Sequence, residues 1–419
     1  MREPEVPSGR IPQVAVVGSG PSGCYVAQFL TKTDPRVHVT VFDRLPVPYG
    51  LVRYGVAADH QGTKAITRQF ERVFDSPRVR FAGNITLGHQ VTVEDLRANF
   101  DAVVLATGLH EDRALAIPGA GRAGVVGAGR VTRYLNGHPD ENGDDLEFGG
   151  DVVVIGAGNV AIDVVRLLAK ASEHYDGSDL DDEAHGLLAS QIASITLLAR
   201  SSAADAKFDR AMLRELGDIA GVVIEAHGLS PDEGDQKSAT VRALAAADAV
   251  PSRVRITLRF RTATVEIIGK ERVEGVRVRD ASGEHLVPAQ TIVTAIGFTG
   301  EAAAPPVARV HTVGWARRGP VGTIPENRAD AKQVASDVLT TLDVPDEAPS
   351  RPGFDGLPQV VRDRAVGFEH WRQIDAYELA SAAPRRTRRK VRTWAGLLGQ
   401  RMEHELTTPA GRTDDEGTD

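Results

Sequence analysis

Two short glycine-rich stretches carry the residue types that bind nucleotide phosphates. Gly18-Ser19-Gly20-Pro21-Ser22-Gly23 sets three glycines at the spacing Gly-x-Gly-x-x-Gly, and Gly156-Ala157-Gly158-Asn159-Val160-Ala161 repeats it with alanine at the third place. In such a turn the first glycine allows a sharp reversal, the second lets a pyrophosphate approach the backbone, and the third lets a helix pack on its strand. The helix N-terminus that follows, Ile162 included in the second unit, offers free N–H groups and partial positive charge to the phosphates. Asp43 and Arg200 then end the next strand of each unit. An acid there accepts the hydroxyls of an adenosine ribose, whereas an arginine pairs with a 2′-phosphate that an acid would repel. The chemistry implied is the binding of two dinucleotides, the second leaning to NADP(H) over NAD(H).

Those residues require a strand, a tight turn, a helix and a second strand in that order. Val14 to Val17 is an apolar run of the kind buried on both faces of a parallel sheet, and Val39-Thr40-Val41-Phe42 returns to Asp43. Asp151 to Ile155, an amphipathic helix over 162–171 and a strand over 194–199 repeat the plan. Asp101 to Gly108 and Thr291 to Gly297 are buried strands with small-residue ends, the place where open sheets hold ligands. The second of these marks the return to the first domain. Between the two units lie a loop fixed by Pro46, Pro48, Gly50 and Gly55, a helix over 62–74, strands over 79–81 and 90–92, and a Gly-rich connection over 117–129. The acidic segment 174–183 reads as a solvated insertion, and the alternating stretches 253–260 and 275–279 as half-exposed antiparallel strands. Past Val338 come a Pro- and Asp-rich turn region, helices over 356–366 and 371–381, a basic run and a polar end from Thr407.

Composition narrows the class. A chain of 419 residues suits two or three domains, and its 42% hydrophobic and 25% charged content supports a sizeable core. A net charge of −8 argues against general nucleic-acid binding. The lone cysteine, Cys24, excludes an intrachain disulfide, a redox cysteine pair and a Cys-ligated cluster, and reads as a small buried filler. The polar, Pro-rich start lacks a signal-peptide core and no run is long enough to span a bilayer, so a cytoplasmic protein is expected.

Four segments together carry a resemblance: the first glycine turn, Pro48-Tyr49-Gly50-Leu51-Val52-Arg53-Tyr54-Gly55-Val56-Ala57, Gly158 to Val164, and Gly314-Trp315-Ala316-Arg317-Arg318-Gly319-Pro320-Val321-Gly322-Thr323-Ile324. With them the chain resembles the adrenodoxin-reductase family of ferredoxin–NADP⁺ reductases over almost its whole length. The resemblance implies an α/β fold of two Rossmann-like dinucleotide-binding domains of three-layer ββα type, the second inserted in the first. It implies FAD in residues 1–111 plus 296–419, NAD(P)H in 112–295, and electrons passed singly to an acidic ferredoxin, an iron–sulfur protein that feeds a P450 or similar oxygenase. Ser22, Asp43, Leu51 and Ile85 match residues lining the FAD. Trp315 and the backbone of Gly322, Thr323 and Ile324 match the segment beside the isoalloxazine, with Gly322 also near the nicotinamide. Arg113 and the turn from Asn159 through Val160 and Ala161 to Ile162 match NADP contacts, and His60 with Glu215 matches a polar pair that helps proton balance.

Some positions depart from the family pattern. Asp43 stands where a glutamate is usual, and the two arginines expected at the 2′-phosphate are Arg200 and Ser201 here. Met212 replaces a glutamate of the following helix, and the stretch between Phe298 and Val313 is short. Loss of one charged hydrogen bond to the phosphate is worth about 1–3 kcal/mol, which opens NADH as an alternative donor. The six basic residues Arg385, Arg386, Arg388, Arg389, Lys390 and Arg392 offer a docking patch for the ferredoxin. A flavin-dependent monooxygenase and a degenerate flavoprotein serving as an interaction platform are the alternative functions.

Overall fold

Apolar runs that end in glycine or a small residue become strands of two parallel sheets in the computed structural model, which describes residues 10–247, 252–300, 307–322, 324–342 and 350–399. In chain order the strands are β1 (Gln13–Val17), β2 (His38–Phe42), β3 (Val79–Ala82), β4 (Ala102–Leu105), β5 (Glu111–Asp112), β6 (Val125–Gly127), β7 (Asp151–Ile155), β8 (Ser194–Leu198), β9 (Val222–His227), β10 (Val254–Arg259), β11 (Ala263–Ile268), β12 (Gly275–Asp280), β13 (Gly283–Pro288), β14 (Thr291–Thr294), β15 (Phe298–Thr299) and β16 (Val310–Thr312). The first sheet runs β16-β4-β1-β2-β3 and the second β6-β14-β7-β8-β10-β9, every pairing parallel.

Both faces are buried at β1, β2 and β4 of the first sheet and at β7 and β14 of the second, as their unbroken apolar runs require. In the first sheet Val14, Val16, Val39 and Val41 pack on the helices Pro21–Thr33, Ile324–Leu342 and Phe368–Ala380, while Ala15, Val17, Phe42 and Val103 pack with Leu96, Leu357 and Val361 on the other side. In the second sheet Val152, Val154, Ile195 and Leu197 meet the helix Asn159–Ala169, and Val153, Ile155, Leu198 and Ile292 meet the antiparallel sheet β11-β12-β13. The ββα layering thus lies at the second sheet; the described second layer of the first sheet is helical. The ribbon β5-β15 joins the two crossings between the sheets.

Several elements differ from the sequence expectation. The stretch 253–260 is not an antiparallel decoration: β10 lies parallel between β8 and β9, burying Val254, Ile256 and Leu258 on one face while Arg255 stays exposed on the other. Alternation arose because the antiparallel layer covers that face only in part, reaching it where Arg259 lies 3.3 Å from His285. β14 pairs with β6 and β7, so the chain rejoins the first sheet only at β16. No strand forms over 90–92; Val91 makes a single bridge to Leu87, and Thr92 caps the helix Val93–Asn99 with a reciprocal bond to Asp95. The helix expected over 62–74 is split into Gln61–Lys64 and Thr67–Phe74, and the later ones are Gln359–Arg364 and Phe368–Ala380. The helix Ile324–Leu342 has no counterpart in the sequence reading, although Ala331, Val334, Ala335, Val338 and Leu342 bury one face at helical spacing.

The two charge runs also need correction, because they meet each other. Arg385 pairs with Asp176 at 2.5 Å, Arg386 with Asp182 at 2.6 Å, Lys390 with Asp179 at 2.8 Å and Arg392 with Asp181 at 3.1 Å. Tyr175, Leu180 and Asp179 are buried, so the acidic segment is no solvated insertion. Lys390 is buried too, and Arg388 pairs with Asp375 and Glu378, so the basic run presents no continuous free charge. The polar end from Thr407 and most of the Pro- and Asp-rich turn region lie outside the described residues.

Candidate functional site

The three glycines of the first turn divide their work as the spacing demands. Gly18 has φ +109°, and a Cβ there would sit 2.3 Å from the carbonyl oxygen of Ala106, just past β4. Gly23 sits so close beneath that a Cβ would lie 1.9 Å from the carbonyl oxygen of Gly18. Gly20, by contrast, has open space where its Cβ would be, and the helix begins at Pro21 with no side-chain cap and no acid in its first turn. The backbone there is free to meet an anion. Cys24 lies one turn in, its buried thiol donating to the Ser19 carbonyl at 3.1 Å and pushed well up by burial, as inert as expected.

Around this turn the other residues expected at the FAD assemble. Asp43 accepts from the Ser19 and Leu45 N–H groups at 2.8 and 2.9 Å and from the Ser19 hydroxyl. Burial pushes its carboxyl up, those bonds only partly opposing. Of about four lone-pair positions on a carboxylate, one on Oδ1 has no donor among the described residues, the position a ribose hydroxyl is expected to use. Ile85, fully buried, donates its N–H to the Asp43 carbonyl at 2.9 Å. Gly50 packs on Gly20, its Cβ position 3.2 Å from the Gly20 Cα, which brings Leu51 to the turn. Gly314 lies against the Ser22 hydroxyl, and its N–H is held by Asp330 Oδ2 at 2.6 Å. Asp330 also pairs with Arg317, so a carboxylate on the helix Ile324–Leu342 positions the segment bearing Trp315. The Trp315 ring stacks on Phe298 with centroids 5.6 Å apart, and its buried Nε1 has no hydrogen-bond partner among the described residues. Gly322, at φ +97°, and Ile324 flank Thr323, which lies outside the described residues.

The second turn repeats the division of work. Gly156 has φ +132° and a Cβ would meet the Ala295 carbonyl oxygen at 2.2 Å; Gly158 opens onto free space; Ala161 is fully buried in the third position. Asn159 begins the helix and accepts from the Asp209 N–H at 2.6 Å, Val160 follows it, and Ile162 is core. Arg200 is exposed past β8, while Met212 is half-buried against the apolar core. Arg113 is exposed, with its N–H bonded to the Gly297 carbonyl at 3.0 Å, and Gly297 in turn lies near Pro320. The strand ends of the two sheets therefore converge: Arg113, Gly297 and Phe298 from the second reach Trp315 and Pro320 from the first.

His60 and Glu215 are brought together, Nε2 to Oε2 at 3.1 Å. Sequence reasoning missed their neighbours. Arg166 Nη2 lies 2.9 Å from the same His60 Nε2 and 2.6 Å from Asp163, its Nε is 3.1 Å from Glu215, and its other terminal nitrogen pairs with Asp59. A guanidinium can only donate and a carboxylate can only accept, so Arg166 and Glu215 make opposite demands on one ring nitrogen. One proton decides between them. Burial pushes the Asp163 carboxyl up, whereas Asp59, despite burial, is held down by Arg166 and Lys170. The available signal was a charge inside Val164-Val165-Arg166-Leu167-Leu168, an otherwise apolar run of a helix buried all round.

Residues 12–230 match the family model described as pyridine nucleotide-disulphide oxidoreductase. The chain is 40% identical over 425 residues to cindoxin reductase of Citrobacter braakii, covering 95% of this chain and 93% of that protein. It is 32% identical over 447 residues to the NADPH-ferredoxin reductase FprA of Mycobacterium tuberculosis, covering 92% and 98%. The solved structure of that FprA in complex with NADPH superposes with a TM-score of 0.85 at 31% identity, covering 93% of this chain and 99% of the other. A further structure of similar fit is a His57Gln mutant of the same protein.

Proposed function

This chain belongs to the pyridine nucleotide-disulphide oxidoreductase family, in its adrenodoxin-reductase-like branch of ferredoxin–NADP⁺ reductases, and from that premise we propose that it is an FAD-dependent enzyme carrying electrons from NADPH to a ferredoxin-type iron–sulfur protein that supplies a P450 or similar oxygenase. The observation that carries the reading is the convergence of the two sheets' strand ends at Gly297, Phe298, Trp315 and Pro320.

The residues fit both groups. FAD would be held by Gly18, Gly20, Pro21, Ser22, Gly23, Asp43, Leu51, Ile85, Trp315, Gly322, Thr323 and Ile324, and NADP(H) by Arg113, Gly156, Gly158, Asn159, Val160, Ala161, Ile162, Arg200 and Gly322. FAD, when bound, accepts an electron pair from a nicotinamide and gives electrons up singly. The chain's own part is to position, exclude water and manage a proton. The open backbone at Gly20 and Gly158 takes the phosphates, and the Phe298–Trp315 stack shields the meeting point. His60 holds or releases a proton at Nε2 toward Glu215, with Arg166 as the competing donor. Residues 1–111 plus 296–419 form the FAD-binding domain and 112–295 the NAD(P)H-binding domain, a division supported by the ribbon β5-β15 at the crossings.

The partner is an acidic ferredoxin. Of the basic run, Arg389 keeps an exposed guanidinium without an acidic partner among the described residues, so docking there rests on Arg389 while Arg385, Arg386, Arg388, Lys390 and Arg392 serve the fold. A cleft of about 780 Å³ beside Ile324 supplies the remaining charge through Lys32, Arg68 and Arg72, all exposed and free of ion pairs among the described residues. No helix among the described residues is long and apolar enough to cross a membrane, and we place the enzyme in the cytoplasm.

The purified protein is expected to be yellow and to bleach anaerobically with NADPH faster than with NADH. Polypeptide that stays colourless after incubation with excess FAD overturns the proposal.

A further inference from the structure

Ser201 leaves the second unit one arginine short at the turn after β8, yet the fold delivers another arginine to the same place. β10 lies directly beside β8, and where both strands end their backbones remain paired: the Ala199 N–H donates to the Arg259 carbonyl at 2.8 Å, the Thr262 N–H to the Ala199 carbonyl at 2.9 Å, and the Arg261 N–H to the Ser201 carbonyl at 2.9 Å. Arg261 therefore sits opposite the residue that replaced the missing arginine.

Two features set Arg261 apart from an ordinary surface cation. Its backbone is left-handed, at φ +52°, a conformation that costs energy for an arginine and is retained where the surroundings impose it. Its guanidinium is held by Glu233, and Glu233 is further fixed by the Ser238 hydroxyl at 3.1 Å. The pair is exposed at the arginine end, so a phosphate that approaches Ser201 can take over the bond Glu233 makes. Arg200 is exposed on the other side of Ser201. The acids nearby are Glu233 and Asp205, the latter occupied by the Ser202 hydroxyl at 2.7 Å.

We propose that Arg261, reaching from the end of β10, stands in for the lost arginine and with Arg200 forms the cation pair that recognises the 2′-phosphate of NADP(H), so that the enzyme keeps its preference for NADPH despite Ser201. The proposal rests on the reading of the Arg200 turn as the phosphate end of the nucleotide site. Glu233 acts as the competitor that keeps Arg261 extended when no phosphate is present.

The test is calorimetric binding of NADP⁺ and NAD⁺ to the oxidised holoenzyme, with KM for NADPH and NADH in dye reduction as a second readout. Arg261→Asn keeps a residue that tolerates the left-handed backbone. It is expected to weaken NADP⁺ binding about tenfold or more, the worth of a charged hydrogen bond, and to leave NAD⁺ binding within about twofold. Glu233→Gln, at a partly exposed site, is expected to act in the opposite direction by tightening NADP⁺ binding. Unchanged NADP⁺ binding in both variants, or equal losses for NADP⁺ and NAD⁺ in Arg261→Asn, overturns the role of Arg261. Arg200→Ala separates that failure from a failure of the site itself: if it weakens NADP⁺ alone the turn is the phosphate site and only Arg261 is wrong, whereas no effect from either arginine removes the site.

Discussion

At the scale of single residues, the glycine turns make a prediction that separates folding from binding. Gly18→Ala places a methyl group 2.3 Å from the Ala106 carbonyl at a positive φ, so the backbone must move and stability falls by more than about 1 kcal/mol. Gly20→Val adds its side chain to open space, at φ −69° and an extended ψ that any residue adopts. Its melting temperature without cofactor should stay close to the parent, while FAD retained through gel filtration drops sharply because the side chain occupies the phosphate approach. Equal FAD content in parent and Gly20→Val protein contradicts the placement. The same scale shows why Arg166 escaped notice and His60 did not. A histidine is conspicuous by type, whereas an arginine earns its role from four partners drawn from three separate segments.

At the scale of elements, the decisive event is the meeting of segments 174–183 and 385–392. Asp179 accepts from Lys64 at 2.6 Å and from Lys390 at 2.8 Å, and Asn136 Oδ1 takes both lysines as well. One carboxylate thus holds two buried ammonium groups and ties the helix Gln61–Lys64 to the C-terminal run. Burial opposes the charge on Asp179, yet the two lysines outweigh it and hold the carboxyl well below its usual range; burial pushes both lysines down. A carboxyl depressed on folding stabilises above its unfolded value near pH 4 and loses that contribution as pH falls further, so acid unfolding should steepen below about pH 4. Asp179→Asn leaves two buried cations uncompensated and is expected to cost about 3–5 kcal/mol while flattening that acid limb. Chemical denaturation across pH 3 to 7 would falsify the assignment by showing the parent slope unchanged in the variant.

At the scale of the whole molecule, charge that is silent in the net count is sorted into structural and free populations. The chain is acidic overall, yet the cleft at Lys32, Arg68 and Arg72 opens beside Ile324, in the segment proposed to lie along the flavin. Reversal of Arg68 and Arg72 to glutamate is expected to slow ferredoxin-dependent cytochrome c reduction about fivefold or more at low salt, with dye reduction preserved and the difference fading at high salt. Reversal of Arg385 and Arg386 should instead lower the melting temperature, since each faces an acid of the 174–183 segment. An equal loss of dye and ferredoxin activity in the Arg68 and Arg72 variant removes the cleft as a docking surface.

The order of strand, glycine turn, helix and strand was determined by local sequence, because the conformational freedom of Gly18 and Gly156 and the apolar runs before them act within a few residues. The two dinucleotide turns, the lone inert cysteine and the pairing of an acid with one unit and an arginine with the other followed from residue type and spacing alone. What covers each sheet, where charged side chains find partners, and that β10 runs parallel while bringing Arg261 to Ser201 depended on segments tens to hundreds of residues apart. Alternation reports only that one face is wet, and a run of like charge reports only that it needs solvent or counter-charge. Which of these it receives is fixed when the chain closes on itself.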